Sequence, residues 1–210
     1  MPCMDTLVVD HPLAAQLLTR MRDETTDRAG FRQASDELAG MLVYEAARGL
    51  ETETIRVRTP LTETDGTRIA RPPLVVPVLR AGLGMLGPAI RLLPDTDTGF
   101  IGVSRNEETH EPEPYMNSVP DDLDGRPVLA LDPMLATGGS MLYTCELLAE
   151  RNPGPITVAC ILAAPEGVER LAESGLVHTL VTASIDERLN EDAFIVPGLG
   201  DAGDRLFGTA

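Results

Sequence analysis

The stretch Val128-Leu129-Ala130-Leu131-Asp132-Pro133-Met134-Leu135-Ala136-Thr137-Gly138-Gly139-Ser140 passes from an unbroken apolar run into a glycine-bearing loop, and a helical pattern follows. Four apolar residues without alternation suit a strand buried on both faces. Two glycines flanked by Thr137 and Ser140 let backbone N–H groups approach an anion with no Cβ in the way. The positive end of the following helix points to the same place. Asp132, at the strand end, is placed to accept hydrogen bonds from sugar hydroxyls. A phosphate monoester, with about −1.5 to −2 charges near neutral pH, suits such a cradle; the plainer alternative is a helix N-cap without a ligand.

The same rhythm repeats on either side. Leu74 to Leu79 is a continuous apolar run followed by a helix to Leu93, and Thr98 to Val103 reads as the next strand. A helix from Ser140 to Arg151, a strand from Ile156 to Ala163, a helix after Pro165 and a strand from Val177 to Ala183 complete the series. Strands alternating with helices predict an α/β fold with a doubly wound parallel sheet. Ligands in such sheets sit beyond the carboxyl ends of the strands. That rule directs attention to the residues after Leu79, Val103, Leu131 and Ala183.

Arg80-Ala81-Gly82-Leu83-Gly84-Met85-Leu86-Gly87 contains a literal G-x-G-x-x-G between a strand and a helix. A dinucleotide site also needs an acid at the end of the second strand to hold a ribose. Here that strand ends in Ser104-Arg105, so the glycine pattern reads as a decoy and Arg80 as an anion ligand. Arg105 opens a proline-rich polar loop to Tyr115, with the character of a lid or of plain loop. Two arginines at neighbouring strand ends beside a phosphate cradle point to a polyphosphate.

Before the sheet, residues 12–29 and 31–50 are expected to be helical. Residues 54–70 form a hairpin around Asp65-Gly66 that projects as an arm. The tail from Ser184 carries Ile195-Val196-Pro197-Gly198-Leu199-Gly200-Asp201-Ala202-Gly203-Asp204. It reads either as a tight turn whose backbone recognises a planar base under Ile195, or as a solvated terminus. The expected division is therefore an N-terminal helical segment (1–53), an arm (54–70), a core sheet (74–183) and a C-terminal hood (184–210).

Composition removes several classes of function. The chain has 210 residues, with 17 Lys+Arg against 33 Asp+Glu and a net charge of −16. All the basic residues are arginine. Without lysine there is no Walker A site and no Schiff-base chemistry. The acidic balance opposes nucleic-acid binding, which needs a basic face. No apolar run is long enough for a membrane span. Cys3, Cys145 and Cys160 read as reduced thiols, and with no visible signal peptide the expectation is a cytoplasmic protein. Acid excess with arginine in place of every lysine points to a cytosol of molar potassium chloride, where screening over about 3 Å removes self-repulsion. A merely solvated acidic surface is the plainer reading.

Taken together, Val78 to Met85, Arg105 to Thr109, Asp132 to Ser140, Ala163 to Gly167, Thr182 to Asp186 and Pro197 to Asp204 resemble the uracil phosphoribosyltransferases, members of the type I phosphoribosyltransferase fold. The resemblance spans nearly the whole chain, and the Gly198 to Asp204 run is what points to uracil. It implies one phosphoribosyltransferase domain over 1–210 that makes UMP and diphosphate from uracil and 5-phosphoribosyl 1-diphosphate (PRPP) with Mg2+. It implies PRPP contacts at Arg80, Arg105, Asp132, Pro133, Met134, Leu135, Ala136, Thr137, Gly138, Gly139, Ser140 and Asp201. Uracil contacts would fall at Ile195, Gly200, Asp201 and Ala202, with catalytic weight on Arg105 and Asp201. No direct protein ligand to the metal is implied. A homo-oligomer (dimer or tetramer) and a GTP effector are further expectations, although no residues stand out for GTP. Rival readings are a different base specificity, an RNA-binding regulator and a non-catalytic nucleotide sensor.

Overall fold

Runs rich in Val, Ile and Leu become strands of one sheet in the computed structural model, which describes residues 4–105 and 112–208. In chain order the elements begin with β1 (Asp5–Val8), α1 (Pro12–Arg22), α2 (Arg28–Ala46), a 3-10 turn (Ala47–Gly49), β2 (Thr52–Arg58) and β3 (Glu63–Ile69). There follow β4 (Leu74–Leu79), α3 (Leu83–Leu92), β5 (Asp97–Thr98), β6 (Ile101–Arg105), β7 (Pro112–Asn117), β8 (Val128–Leu131) and β9 (Met134–Leu135). The chain closes with α4 (Gly139–Ala149), β10 (Ile156–Ala163), α5 (Pro165–Ser174), β11 (Thr179–Ile185), β12 (Arg188–Leu189), β13 (Ile195–Val196) and α6 (Ala202–Phe207).

The main sheet runs β1-β11-β10-β8-β4-β6-β7, with β5 on β4 and β9 on β10. Its pairs are parallel except β6 with β7. Strand alternation divides the core between the two faces. Ala159 and Ile161 of β10 pack with Phe31, Leu38 and Met85 from α2 and α3. Val158 and Cys160 pack with Met141, Cys145 and Leu171 from α4 and α5. The hood joins the first of these clusters through Ile195, Leu199, Ala202 and Leu206. Cys145 and Cys160 are free, buried thiols, and burial pushes both up to about 12. Cys3 lies outside the described residues.

Several local expectations are corrected. Residues 5–8 pair as an edge strand with β11, so the amino-terminal segment is not all helix. The helical region 12–29 breaks at Arg22. The Asp23 carboxylate accepts from the Thr25 N–H at 2.8 Å, and Asp27 caps a new helix by accepting from the Gly30 N–H at 2.8 Å. The arm turns at Thr59–Thr62 instead of Asp65-Gly66: Gly66 lies opposite Ile55 within the ladder, and Asp65 opposite Arg56. Pro60 fits the tip, and the Thr59 hydroxyl accepts from the N–H groups of Leu61 and Thr62. Leu61 at that tip is 95% exposed. Pro112 to Tyr115, expected as loop, are in an edge strand, the place in a sheet where proline is tolerated. Residues 106–111 of the expected lid lie outside the described residues. The tail is not without order: β12 pairs with β13, and α6 follows.

Candidate active site

Parallel strands β4 and β8 end side by side, which brings the loops after Leu79 and Leu131 together. A cis peptide joins Leu79 to Arg80. The glycines that imitate a dinucleotide motif have packing roles. A Cβ on Gly82 would lie 2.5 Å from the Leu131 carbonyl oxygen and 2.6 Å from that of Val78, and one on Gly84 would lie 2.7 Å from Leu206. Gly82 therefore allows the Arg80 loop to lie directly on the strand end that leads into Asp132.

The Asp132–Ser140 loop is built largely from main-chain bonds. Ile161 and Leu162 N–H groups donate to the Pro133 carbonyl at 3.0 Å, and Ala164 N–H donates to Leu135 at 2.8 Å. Met134-Leu135 thereby forms the short strand β9, inside what reads in sequence as plain loop. Gly138 has φ +75° and precedes α4 without a side-chain cap. A Cβ there would lie 3.2 Å from the Gly167 carbonyl oxygen, so the loop and the start of α5 are packed tightly together. Asp132 is half-buried at the strand end, and its carboxylate accepts from Met134 N–H at 3.4 Å. Burial pushes its carboxyl up to about 7 against the smaller pull of that hydrogen bond.

A cavity of about 360 Å³ opens at these strand ends. Its wall brings together Arg80, Met134, Ala136, Ile195, Gly200, Asp201 and Ala202, which are distant in sequence. Asp132, Thr137, Gly139 and Ser140, all half-buried, stand off this wall, while Pro133, Leu135 and Gly138 are buried in the packing of the loop itself. Arg105 has its main chain at the end of β6, the neighbour of β4, and its side chain lies outside the described residues. Asp201 also caps α6 by accepting from Asp204 N–H at 2.8 Å.

The wall also includes Ala81, which the sequence pairs with Arg80 as an anion site, and residues that sequence reasoning missed: Asp192, Ala193, Phe194 and Gly203. Asn190 holds the turn that presents three of them, its side-chain oxygen accepting from the N–H groups of Asp192 at 3.0 Å and Phe194 at 2.8 Å. An asparagine opening a polar segment ahead of Phe194-Ile195 was the available signal. Phe194 is 46% exposed at the cavity, where its ring can cover a planar ligand. A wall that combines an arginine, apolar side chains and glycine backbone suits a ligand with an anionic and a planar part.

No helix among the described residues is long and apolar enough to cross a membrane. Residues 8–209 match the family model described as uracil phosphoribosyltransferase. A uracil phosphoribosyltransferase from Corynebacterium diphtheriae is 58% identical over 205 residues, covering 98% of this chain and 97% of the relative. One of the same name from Corynebacterium glutamicum is 55% identical over the same shares. Among solved structures, the AQ2163 protein from Aquifex aeolicus superposes with a TM-score of 0.92 at 36% identity, covering 98% of this chain and 99% of that one. Adenine phosphoribosyltransferase from Leishmania donovani, at 14% identity, covers 92% of this chain and 88% of its own with a TM-score of 0.59, a likeness of fold.

Proposed function

The chain belongs to the uracil phosphoribosyltransferase family, and we propose that the cavity at the ends of β4 and β8 is where it transfers a phosphoribosyl group from PRPP to uracil. The bond from C1 of the ribose to the diphosphate oxygen breaks, a bond to uracil N1 forms, the N1 proton is lost, and UMP and diphosphate are the products. One observation carries this reading: Arg80 and the Gly200–Ala202 turn face the same cavity beside the Asp132–Ser140 loop.

The N–H groups from Thr137 to Ser140 hold the 5′-phosphate at the start of α4. Asp132 accepts hydrogen bonds from the ribose hydroxyls. Arg80 and Arg105 offset the charge that develops on the departing diphosphate, the kind of preorganised electrostatic term that dominates many enzymes. The base lies with its edges toward the backbone of Gly200, Asp201 and Ala202 and its face against Ile195 and Phe194. Covering the site excludes water from the oxocarbenium-like ribose, which water would hydrolyse.

The reading includes Mg2+. Among the described residues no group of three or more His, Cys, Asp or Glu side chains is placed to hold a metal. Mg2+ keeps several waters and commonly binds through substrate phosphates, so a site with one carboxylate in its phosphate loop fits an ion carried by PRPP. When bound, it supplies charge neutralisation to the diphosphate. A homo-oligomer is part of the same reading: the arm is exposed along most of both strands, and an isolated two-stranded hairpin is marginally stable in water.

The test is diphosphate release from PRPP and Mg2+ with uracil, cytosine, hypoxanthine, guanine or orotate, in low and molar potassium chloride, with and without GTP. Release with uracil alone is expected, strongest in high salt. Release with another base would overturn the assignment of the base wall. No release with any base from folded protein would favour a nucleotide sensor.

A further inference from the structure

The turn that brings Gly200 and Asp201 to the cavity is held from outside it. Gly198 and Gly200 have φ of +66° and +79°. A Cβ on Gly198 would stand 2.0 Å from the Ile195 carbonyl oxygen, so the turn folds back tightly on itself. Both main-chain polar groups of Gly198 are bound by one ion pair. Its N–H donates to Asp186 Oδ2 at 2.9 Å, and its carbonyl accepts from Arg22 Nη1 at 2.8 Å. Arg22 also forks onto Asp186, with Nη1 to Oδ2 at 2.7 Å and Nη2 to Oδ1 at 2.5 Å, and the Ser184 hydroxyl donates to Oδ1 at 3.0 Å. Every acceptor on the carboxylate is therefore engaged, as a buried charge requires. The Asp186 side chain is 3% exposed and that of Arg22 25%. Burial acts to raise the carboxyl, and the hydrogen bonds from Arg22, Gly198 and Ser184 hold it below the ordinary carboxylate value.

A second arginine reaches the opposite way. Arg205 in α6 donates to the Leu199 carbonyl at 2.9 Å, to Met21 and Asp23 carbonyls in and after α1, and stacks 4.2 Å above the Phe31 ring. The carbonyls of residues 198 and 199, which immediately precede the cavity wall, are thus fixed to the end of α1 by guanidinium groups. The phosphate loop is tied separately, through main-chain bonds to β10 and Ala164.

We propose that Arg22 and Asp186 are positioning residues for the nucleobase: a buried ion pair, outside the cavity, that sets the Gly198 peptide and through it the backbone wall that reads uracil. The inference rests on the base-site reading above. It gives the amino-terminal helix, which has no residue in the cavity wall, a part in substrate selection.

The test compares Arg22→Lys, Arg22→Gln and Asp186→Asn with the parent. Lysine keeps the charge but lacks the planar fork needed to hold both carboxylate oxygens and the Gly198 carbonyl. Arg22→Lys is expected to raise KM for uracil about tenfold, the scale of one lost charge-assisted hydrogen bond, and Arg22→Gln to raise it further. PRPP binding by calorimetry should weaken less than uracil binding, since the phosphate loop hangs on other bonds and only Asp201 joins the donor's contacts to this turn. The Gly198 amide should exchange its hydrogen faster in every variant, without substrate present. An unchanged KM for uracil, or a parallel rise for both substrates, would overturn the proposal. If Asp186→Asn does not fold, the charge-keeping Arg22→Lys variant still decides. A parent that never turns over uracil would instead remove the reading beneath the proposal, and Gly198 amide exchange would then decide whether the pair holds the turn.

Discussion

At the phosphate loop the chain is held by its neighbours in the sheet: the Pro133 and Leu135 carbonyls accept from β10 and Ala164, and Gly138 packs on Gly167. At the base wall there is little sheet to hold anything, only the paired dipeptides of β12 and β13. Side chains from α1, α2 and α6 take over: Arg22 on Gly198, Arg205 on Leu199, and Arg32 Nε on the Leu206 carbonyl at 2.6 Å. A wall built on backbone pairing is common property of the fold, because any sequence that forms the strands places it. A wall hung on long side chains can be re-aimed by a few substitutions, which suits the wall we assign to the base.

Breaking the chemistry shared by both walls should have the largest effect. On the proposed reading, Arg105→Ala removes charge opposing the departing diphosphate. Turnover should fall about 100-fold or more, the scale seen for removal of one electrostatic stabiliser, with the thermal midpoint unchanged. Equal kcat in parent and variant would retire Arg105 from the site.

Glycine replacements separate the walls. Gly198→Ala puts a Cβ 2.0 Å from the Ile195 oxygen, an overlap no rotamer can relieve, so the turn must move. Gly138→Ala meets the Gly167 oxygen at 3.2 Å and chiefly bears the left-handed conformation, a cost of about 1–2 kcal/mol. Gly198→Ala should therefore raise KM for uracil by more than about tenfold, with PRPP binding near normal. Gly138→Ala should weaken PRPP binding about tenfold with uracil KM near normal. If both variants lose both substrates alike, the walls are mechanically one unit.

The same division decides what was legible in the sequence. The apolar runs at 74–79, 128–131 and 156–163 announce parallel strands because burial on both faces leaves no polar alternation, and the Asp132–Ser140 loop follows from them. Ile195 and Gly200–Ala202 needed the family resemblance, since glycines and acids in a tail are equally a solvated turn. Arg22 and Arg205 carried no local signal, and Asp186, though within a stretch that carries the resemblance, gave no hint of its role: an arginine ending a helix looks like ordinary macrodipole chemistry, and the partner of Arg22 is 164 residues away. The Asp65-Gly66 turn failed because a dipeptide propensity was outweighed by Pro60 and the Thr59 hydroxyl.

Titration sharpens the phosphate side. The carboxyl of Asp132 is raised to about 7 by burial, against 3.8 ordinarily. Such a shift means that the neutral form stabilises the free fold. That contribution is complete below about pH 4 and is lost as pH rises through about 7. On the proposed reading PRPP needs the opposite state, because only the carboxylate offers all its acceptors to ribose hydroxyls. PRPP affinity should rise through an apparent pKa near 7, by up to about tenfold per unit on its acid side, with inorganic phosphate as the reference that corrects for phosphate titration. Asp132→Asn should abolish that step and raise the thermal midpoint of the free protein above pH 7. A pH-independent affinity in the parent would place the sugar elsewhere.

The smallest expected effect tests whether the platform beneath the base wall carries more polar burden than its function uses. Ser35, in α2 between the core residues Ala34 and Leu38, is 1% exposed, and its hydroxyl has no hydrogen-bond partner among the described residues. Burying an unsatisfied hydroxyl costs about 1–3 kcal/mol, and removing it leaves a hole of a single oxygen. Ser35→Ala should therefore stabilise the protein by about 1 kcal/mol in denaturant unfolding. It should leave the KM values for both substrates unchanged, because Ile195, Leu199 and Leu206 rest on this face through apolar contacts that the hydroxyl does not mediate. A destabilised variant would reveal that the hydroxyl has an ordered water as its partner. A stabilised variant with an altered KM for uracil alone would mean that the helix platform, together with its arginine ties, tunes the base wall.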